Sequence, residues 1–337
     1  MKKRFLSMAA VGVLGLAAVG CSSNGSGGDE GGSAAEVTTI SVSHVESASS
    51  VTHRTLEAVA ERVAEASGGS LELEIFPDGQ LGTTADTLQQ SASGELIIGY
   101  TDAAELAALA PSTNLDILSG PFLFESTDQA QTFHDSDVFQ GMSDQLAAEG
   151  GVQILALNYF LGTRNILATG AYPEPADLEG VKMRVPPIES WTRTFELLGA
   201  VPTTVDYTEV YSALQQGVVA GAESDINSLL DQQWGEVAQH LTMTHHFQLF
   251  LGFAMGADAF NSLTAEQQQI LVEEFAKGGV DSTAENASME GDTLEALEEQ
   301  GVTVTEANLE AYREATLGYY DGYPEGFLDE VRAAAGM

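Results

Sequence analysis

Two arginines are the residues best placed to do chemistry in this chain, because bases of any kind are scarce in it. The 337 residues carry 12 Lys and Arg against 50 Asp and Glu, a formal net charge of -38. Arg184 lies in Val181-Lys-Met-Arg-Val-Pro186, and Arg164 lies in Gly162-Thr-Arg-Asn165. Read as a strand, the first run puts Lys182 and Arg184 on one face and Val181, Met183 and Val185 on the other. An arginine at the end of a buried strand must meet a carboxylate or a ligand, since a buried unpaired charge is costly. Its planar fork offers a carboxylate two parallel hydrogen bonds, which lysine cannot do. Spacing alone leaves two roles open: an internal pair with one of the many acids, or a bond to an acidic ligand.

Other chemistries find less support. The chain has no G-x-S-x-G elbow, no H-E-x-x-H pair and no Walker loop. Its six histidines include His240, His245 and His246. Adjacent histidines on a strand point to opposite faces and do not easily share a metal. Asp135-Ser-Asp137 lacks the further ligands and the glycine of a calcium loop. With 50 acids, a glycosidase-like carboxylate pair is expected by chance. A single cysteine excludes an intrachain disulfide and a thiolate zinc cluster. The polyanionic surface repels nucleic acid. No catalytic constellation stands out, and no metal or cofactor is expected.

The elements that must position the arginines are legible in outline. Lys2, Lys3 and Arg4 precede an apolar run that ends Leu16-Ala-Ala-Val-Gly-Cys21, the layout of a signal peptide with a bacterial lipobox. Residues 1–20 are expected to be removed and Cys21 lipidated, with residues 21–36, rich in Ser, Gly and acid, as a flexible tether. Hydrophobic periodicity then predicts strand 39–45, helix 52–66, strand 71–76, helix 84–93 and strand 96–100, a β-α-β-α-β order typical of a largely parallel sheet. Ligands in such sheets sit beyond the carboxyl ends of the strands, which places His44 and Tyr100 to Asp102 near a site. Further strands are expected at 152–157, 182–185 and 201–204, with a strand-like run at 247–253. A helix from Leu263 to Lys277 opens with the cap signal Thr264-x-x-Gln267. A second long helix is expected over 280–300.

These residues carry a resemblance. Gly162-Thr-Arg164, Asp177-Leu-Glu-Gly-Val-Lys-Met-Arg-Val-Pro186, Leu198-Gly-Ala-Val-Pro202 and Glu209-Val-Tyr-Ser-Ala-Leu-Gln-Gln-Gly-Val-Val-Ala-Gly-Ala-Glu223 resemble the core of the DctP-type solute-binding proteins of tripartite ATP-independent periplasmic (TRAP) transporters. Phe76-Pro-Asp-Gly-Gln-Leu-Gly82 and Pro121-Phe-Leu-Phe124 are similar to family landmarks, and the likeness runs over the whole mature chain. It implies an α/β, two-lobed periplasmic-binding-protein fold of type II-like form, with two α/β domains, a hinge and a long connecting helix. The implied lobes are 37–161 with 250–289, and 162–249 with 290–337. It also implies a binding protein without catalysis, lipid-anchored outside the cell membrane, that passes a small organic acid to a small and a large integral membrane subunit.

By the same resemblance, Arg184 forms the main salt bridge with the ligand carboxylate and Arg164 is a second basic site residue. Tyr207 is an aromatic wall, Asp102 a polar contact on the other lobe, and His44 lies near the first-strand contact. The family often has Asn or Trp after the acid matching Glu223, whereas this chain has Ser224, then Asp225. Serine reaches less far, and Asp225 would accept from hydroxyls and repel a second carboxylate. The expected ligand is therefore a sugar acid, a uronate or aldonate, with a C4-dicarboxylate or a 2-hydroxy or 2-oxo acid as the alternative. A ligand-sensing receptor subunit, an extracytoplasmic enzyme on acidic sugars, and a binding protein for an ATP-driven importer are the rival classes. Loss of residues 1–20 would leave nine bases against 50 acids. That charge repels itself within a compact fold. The melting temperature is therefore expected to rise from low to molar salt, and a flat response in differential scanning calorimetry would count against this.

Overall fold

The computed structural model describes residues 37–337. The expected signal peptide, the lipidated Cys21 and the tether lie outside the described residues. Strands β1 (Thr38–Ser43), β2 (Leu71–Phe76), β3 (Ile97–Asp102) and β4 (Val152–Tyr159) come first. They are followed by β5 (Arg164–Ala168), β6 (Lys182–Val185), β7 (Val201–Thr204), β8 (Gly221–Ser224) and β9 (His240–Phe247). β10 (Leu251–Gly256) and β11 (Thr303–Glu306) complete the set.

Two sheets result, one per lobe. The first has the order β2-β1-β3-β10-β4 and the second β11-β9-β5-β8-β6-β7. β1 pairs in parallel with β2 and β3, as the alternation of the first sixty folded residues predicts. β10 is antiparallel to β3 and β4, so the first sheet is mixed. The second sheet is mixed as well, with β5 antiparallel to β8 and β9 and β6 parallel to β7 and β8. Each sheet is covered on both faces, and alternation along a strand sends side chains to different cores. On β5, Ile166 and Ala168 join one cluster and Leu167 joins another.

The chain passes between the lobes four times. It leaves the first sheet after β4 and returns between β9 and β10. The stretch 247–253, expected as one strand, is this crossing: β9 ends at Phe247 and β10 begins at Leu251 in the other sheet. The third passage is a helix from Ala265 to Glu299, 35 residues long, which at 1.5 Å per residue reaches about 50 Å. Its Thr264 side chain accepts from Gln267 N at 3.2 Å, and Gln267 Oε1 accepts from Thr264 N at 3.1 Å, the reciprocal cap that the sequence signals. Leu271 and Phe275 pack in the first lobe and Leu297 in the second.

The fourth passage corrects the expected lobe boundary. Tyr312 packs in the second lobe, but Val331 and Ala335 of the last helix, Phe327–Ala334, are buried in a core of the first lobe. Tyr320 Oη donates to the Pro121 carbonyl at 2.7 Å and Tyr323 Oη to Asp116 at 2.8 Å on the way. The end of the chain thus belongs with the first lobe, because its apolar stripe is buried there.

The long helix runs unbroken through Gly278 and Gly279, where the sequence suggests two segments. Helix propensity alone disfavours glycine there. Close packing explains them: a Cβ on Gly279 would meet Asn158 Oδ1 at 2.0 Å, and one on Gly278 would meet Tyr159 Oη at 2.5 Å. The glycines let the helix lie against β4, where Asn158 Nδ2 donates to the Ala276 carbonyl at 3.0 Å and Tyr159 Oη to that of Phe275 at 3.0 Å. Gly279→Val is therefore expected to lower the unfolding free energy by about 1–3 kcal/mol, the usual cost of overpacking. Urea denaturation followed by circular dichroism checks this, and an unchanged midpoint would contradict it.

Candidate functional site

A cavity of about 360 Å³ lies between the lobes, bounded by the segments after β1, β3 and β6 and by the start of β5. That volume suits a small molecule. Arg164, Arg184, Tyr207 and Asp102 all line it. The structure thus brings together four of the seven side chains that the sequence singles out for the ligand.

The second-lobe wall is built on a buried ion pair. Arg164 opens β5 and Glu223 lies on the neighbouring β8, which brings the two side chains together. Arg164 Nε donates to Glu223 Oε2 at 2.5 Å and Nη2 to Oε1 at 2.9 Å. Trp191 Nε1 donates to Glu223 Oε1 at 3.0 Å, and His246 Nε2 stands 3.6 Å from Oε2. Burial alone would raise the Glu223 carboxyl, but Arg164 and His246 hold it well below the usual carboxylate range. Burial likewise opposes the Arg164 charge, and the Glu223 carboxylate more than offsets it. Glu223 is fully buried and is not among the cavity-lining residues.

Arg184 is left differently. It is 2% exposed on β6, and its Nε donates to the Val205 carbonyl at 2.8 Å. Among the described residues no carboxylate lies within 4.0 Å of its guanidinium. Burial, opposed by Glu223 and reinforced by the neighbouring Arg164 charge, pulls it down to about 10. Its guanidinium sits 5.8 Å from the centre of the Tyr207 ring. A buried cation facing a cavity without a carboxylate partner is able to receive an anion.

The first-lobe wall is acidic and hydroxylated. Asp102 caps the helix Ala103–Leu109, accepting from Ala104 N at 2.7 Å and Glu105 N at 3.0 Å. Burial pushes the carboxyls of Asp102 and Glu105 up, and for Glu105 the Asp102 charge adds to the effect. Glu46, just after β1, also lines the cavity. Its Oε2 accepts from Tyr207 Oη at 3.0 Å, a contact between lobes. Nearby, Asp231 of the second lobe accepts from Ser47 Oγ at 2.5 Å and Ser49 Oγ at 2.6 Å. The lobes therefore stand in contact across the cleft.

Three expected contacts are placed elsewhere. His44 is buried, its Nε2 lies 3.0 Å from His53 Nδ1, and burial and His53 lower its pKa to about 3. It is not among the cavity-lining residues, whereas Val45 and Glu46, the next two along the chain, are. Ser224 and Asp225 are also buried away from the lining. Asp225 caps the helix Ile226–Asp231, accepting from Ser228 N at 2.9 Å. The residues that sequence reasoning passes over are Glu46, Glu105 and Trp191. Glu46 could have been noticed as the second acid or base position beyond β1, but one acid among 50 carries little signal.

Comparison with known proteins agrees with the two-lobed fold. Residues 42–325 match the family model DctP, described as bacterial extracellular solute-binding protein, family 7. The sialic acid-binding periplasmic protein SiaP of Vibrio cholerae is 27% identical over 283 residues, covering 84% of this chain and 87% of its own. A TRAP periplasmic solute-binding protein of Actinobacillus succinogenes, solved with bound L-galactonate, superposes with a TM-score of 0.85 at 28% identity, covering 89% of this chain and 99% of that one. Another from Fusobacterium nucleatum, with bound sn-glycerol-3-phosphate, gives 0.83 at 30% identity, covering 88% and 97%.

The Arg164–Glu223 pair makes a stability prediction. Removing either partner strands the other charge in the interior, which typically costs about 3–5 kcal/mol. Because the Glu223 carboxyl is held below its ordinary value of 4.5, its contribution is present above that pH and is lost as pH falls through the folded value. Glu223→Gln should therefore destabilise the fold at pH 7 and flatten the acid side of the stability profile. Urea titrations from pH 3 to 7 check this, and parallel wild-type and variant profiles would contradict it.

Proposed function

The chain belongs to the bacterial extracellular solute-binding proteins of family 7 (DctP) of TRAP transporters, and from that premise we propose that it captures a hydroxylated monocarboxylate, a uronate or aldonate. The observation that carries this reading is Arg184: buried, facing the cavity, and held among the described residues by a backbone carbonyl and an aromatic face. A ligand carboxylate there supplies the paired oxygens that Glu223 gives to Arg164. Closure of the lobes removes water, and the charge-assisted bonds strengthen in the lower dielectric. The relatives' ligands support the class, since sialic acid and L-galactonate each join one carboxylate to a hydroxylated carbon chain.

The chain then delivers its ligand to a small and a large integral membrane subunit, with Cys21 carrying a lipid anchor on the outer face of the cell membrane. A second reading, a phosphorylated polyol, is favoured by the relative solved with sn-glycerol-3-phosphate, because an arginine fork accepts phosphate as well as carboxylate.

Arg184→Ala should weaken binding of the cognate acid by about 2–5 kcal/mol, and Arg184→Lys should weaken it less, through loss of the fork. A thermal-shift panel of uronates, aldonates, C4-dicarboxylates, 2-oxo acids, sn-glycerol-3-phosphate and neutral sugars names the class, and calorimetry on the variants tests the site. Wild-type affinity in Arg184→Ala, or shifts with neutral sugars alone, would remove Arg184 from the site.

A further inference from the structure

We propose that Glu46 and Tyr100 form a second subsite, on the first lobe, that reads ligand hydroxyls and excludes dianions. This rests on the reading that Arg184 takes the acid group. Tyr100 lines the cavity, is 4% exposed, and its hydroxyl has no hydrogen-bond partner among the described residues. A buried hydroxyl left without a partner is costly, so such a group in a cleft marks where a ligand atom completes the structure. Glu46 is 6% exposed and lines the same cavity. One of its oxygens accepts from Tyr207, and the other makes no hydrogen bond among the described residues.

The electrical state of the pair sets the ligand chemistry. Glu46 is faced by Asp225 and Asp231, by the hydroxyl of Tyr207 and by the Arg164 charge, with Tyr100 and Asp102 on its own lobe. Burial first, and the Asp225 charge second, push its carboxyl up to about 8. Near pH 7 it is therefore mostly the neutral acid, able both to donate and to accept. Burial and the same acids hold the Tyr100 phenol well above its usual value, so it stays a donor. Two neutral O–H groups suit the hydroxyls at the far end of a sugar acid. A second carboxylate there would be desolvated beside Asp102, whose carboxyl is pushed only to about 6 and so is mostly ionised at pH 7, with no cation among the described residues that line that wall. This replaces Asp225, which caps a helix, as the source of discrimination against dicarboxylates.

The test compares an aldonate with the aldarate of the same carbon skeleton, by calorimetry on the full-length chain in detergent. Wild type should bind the aldonate at least about tenfold more tightly. Tyr100→Phe should weaken the aldonate by about tenfold, the value of one buried hydrogen bond. Glu46→Gln should bind the aldonate more tightly than wild type at pH 7, because glutamine still donates and accepts but need not take up a proton for the lobes to close. A lobe-open form that returns Glu46 to water would titrate near 4.5, against about 8 when closed. Wild-type affinity should therefore fall as pH rises through that window, by at most about tenfold per pH unit, and Glu46→Gln should show a flatter profile. Melting curves establish that each variant is folded.

If Tyr100→Phe and Glu46→Gln leave both the aldonate affinity and the pH profile unchanged while Arg184→Ala abolishes binding, the subsite is overturned and the main reading stands. If wild type binds neither acid, the main reading fails and the subsite with it. If an amino-substituted acid outcompetes the aldonate and Glu46→Gln removes that advantage, the subsite holds a cation and the hydroxyl reading is wrong.

Discussion

The bond between Arg164 and Glu223 is the constraint on which the site depends. Two guanidinium groups approach the same buried region, and Glu223 pairs with Arg164 alone. Its oxygens are taken by Arg164 and Trp191. Arg184 is therefore left with a carbonyl and a ring, and its charge is destabilised enough to lower its pKa to about 10. The fold keeps one cation satisfied and rigid, and leaves the other in want of an anion. Strand pairing enforces this division. β5 and β8 hold Arg164 against Glu223, while β6 carries Arg184 on the far side of β8.

The remainder of the molecule brings a second wall to that cation and lets it withdraw. Contacts across the cleft include hydroxyls on carboxyl groups: Tyr207 on Glu46, Ser47 and Ser49 on Asp231. Each is exchangeable with water at small net cost. Three of the four apolar cores, by contrast, lie within a single lobe, while the fourth, in the second lobe, is also touched by Ala104, Phe122 and Leu251 of the first. Opening the cleft thus disturbs chiefly polar contacts that water can replace and leaves three of the four cores untouched.

Much of this was legible in the residues, for stated reasons. With so few bases, Arg164 and Arg184 stand out, and the parallel strands β1 to β3 show their alternation plainly. β5, β8 and β9 do not, because they are fully or nearly buried and mix polar with apolar side chains, among them Arg164, Glu223, Thr242 and His246. Ser224 and Asp225 sit beside Glu223 in sequence, yet a helix start claims Asp225, and no pattern of spacing reveals that. Glu46 is hidden by number, one acid among 50. Its role comes from burial and from a partner 161 positions away. The glycine pair in the long helix reads as a break until its neighbour Asn158 is known.

The four passages of the chain between lobes have an evolutionary consequence. Neither lobe is a continuous stretch of sequence, and even the last helix returns to the lobe where the chain began. No single genetic crossover can exchange one lobe for that of a relative. New ligand preferences must therefore accumulate residue by residue on the facing walls, while the crossings are inherited together. An engineer meets the same restriction: the practical unit of redesign here is the side chain, and the lobe is not a portable module.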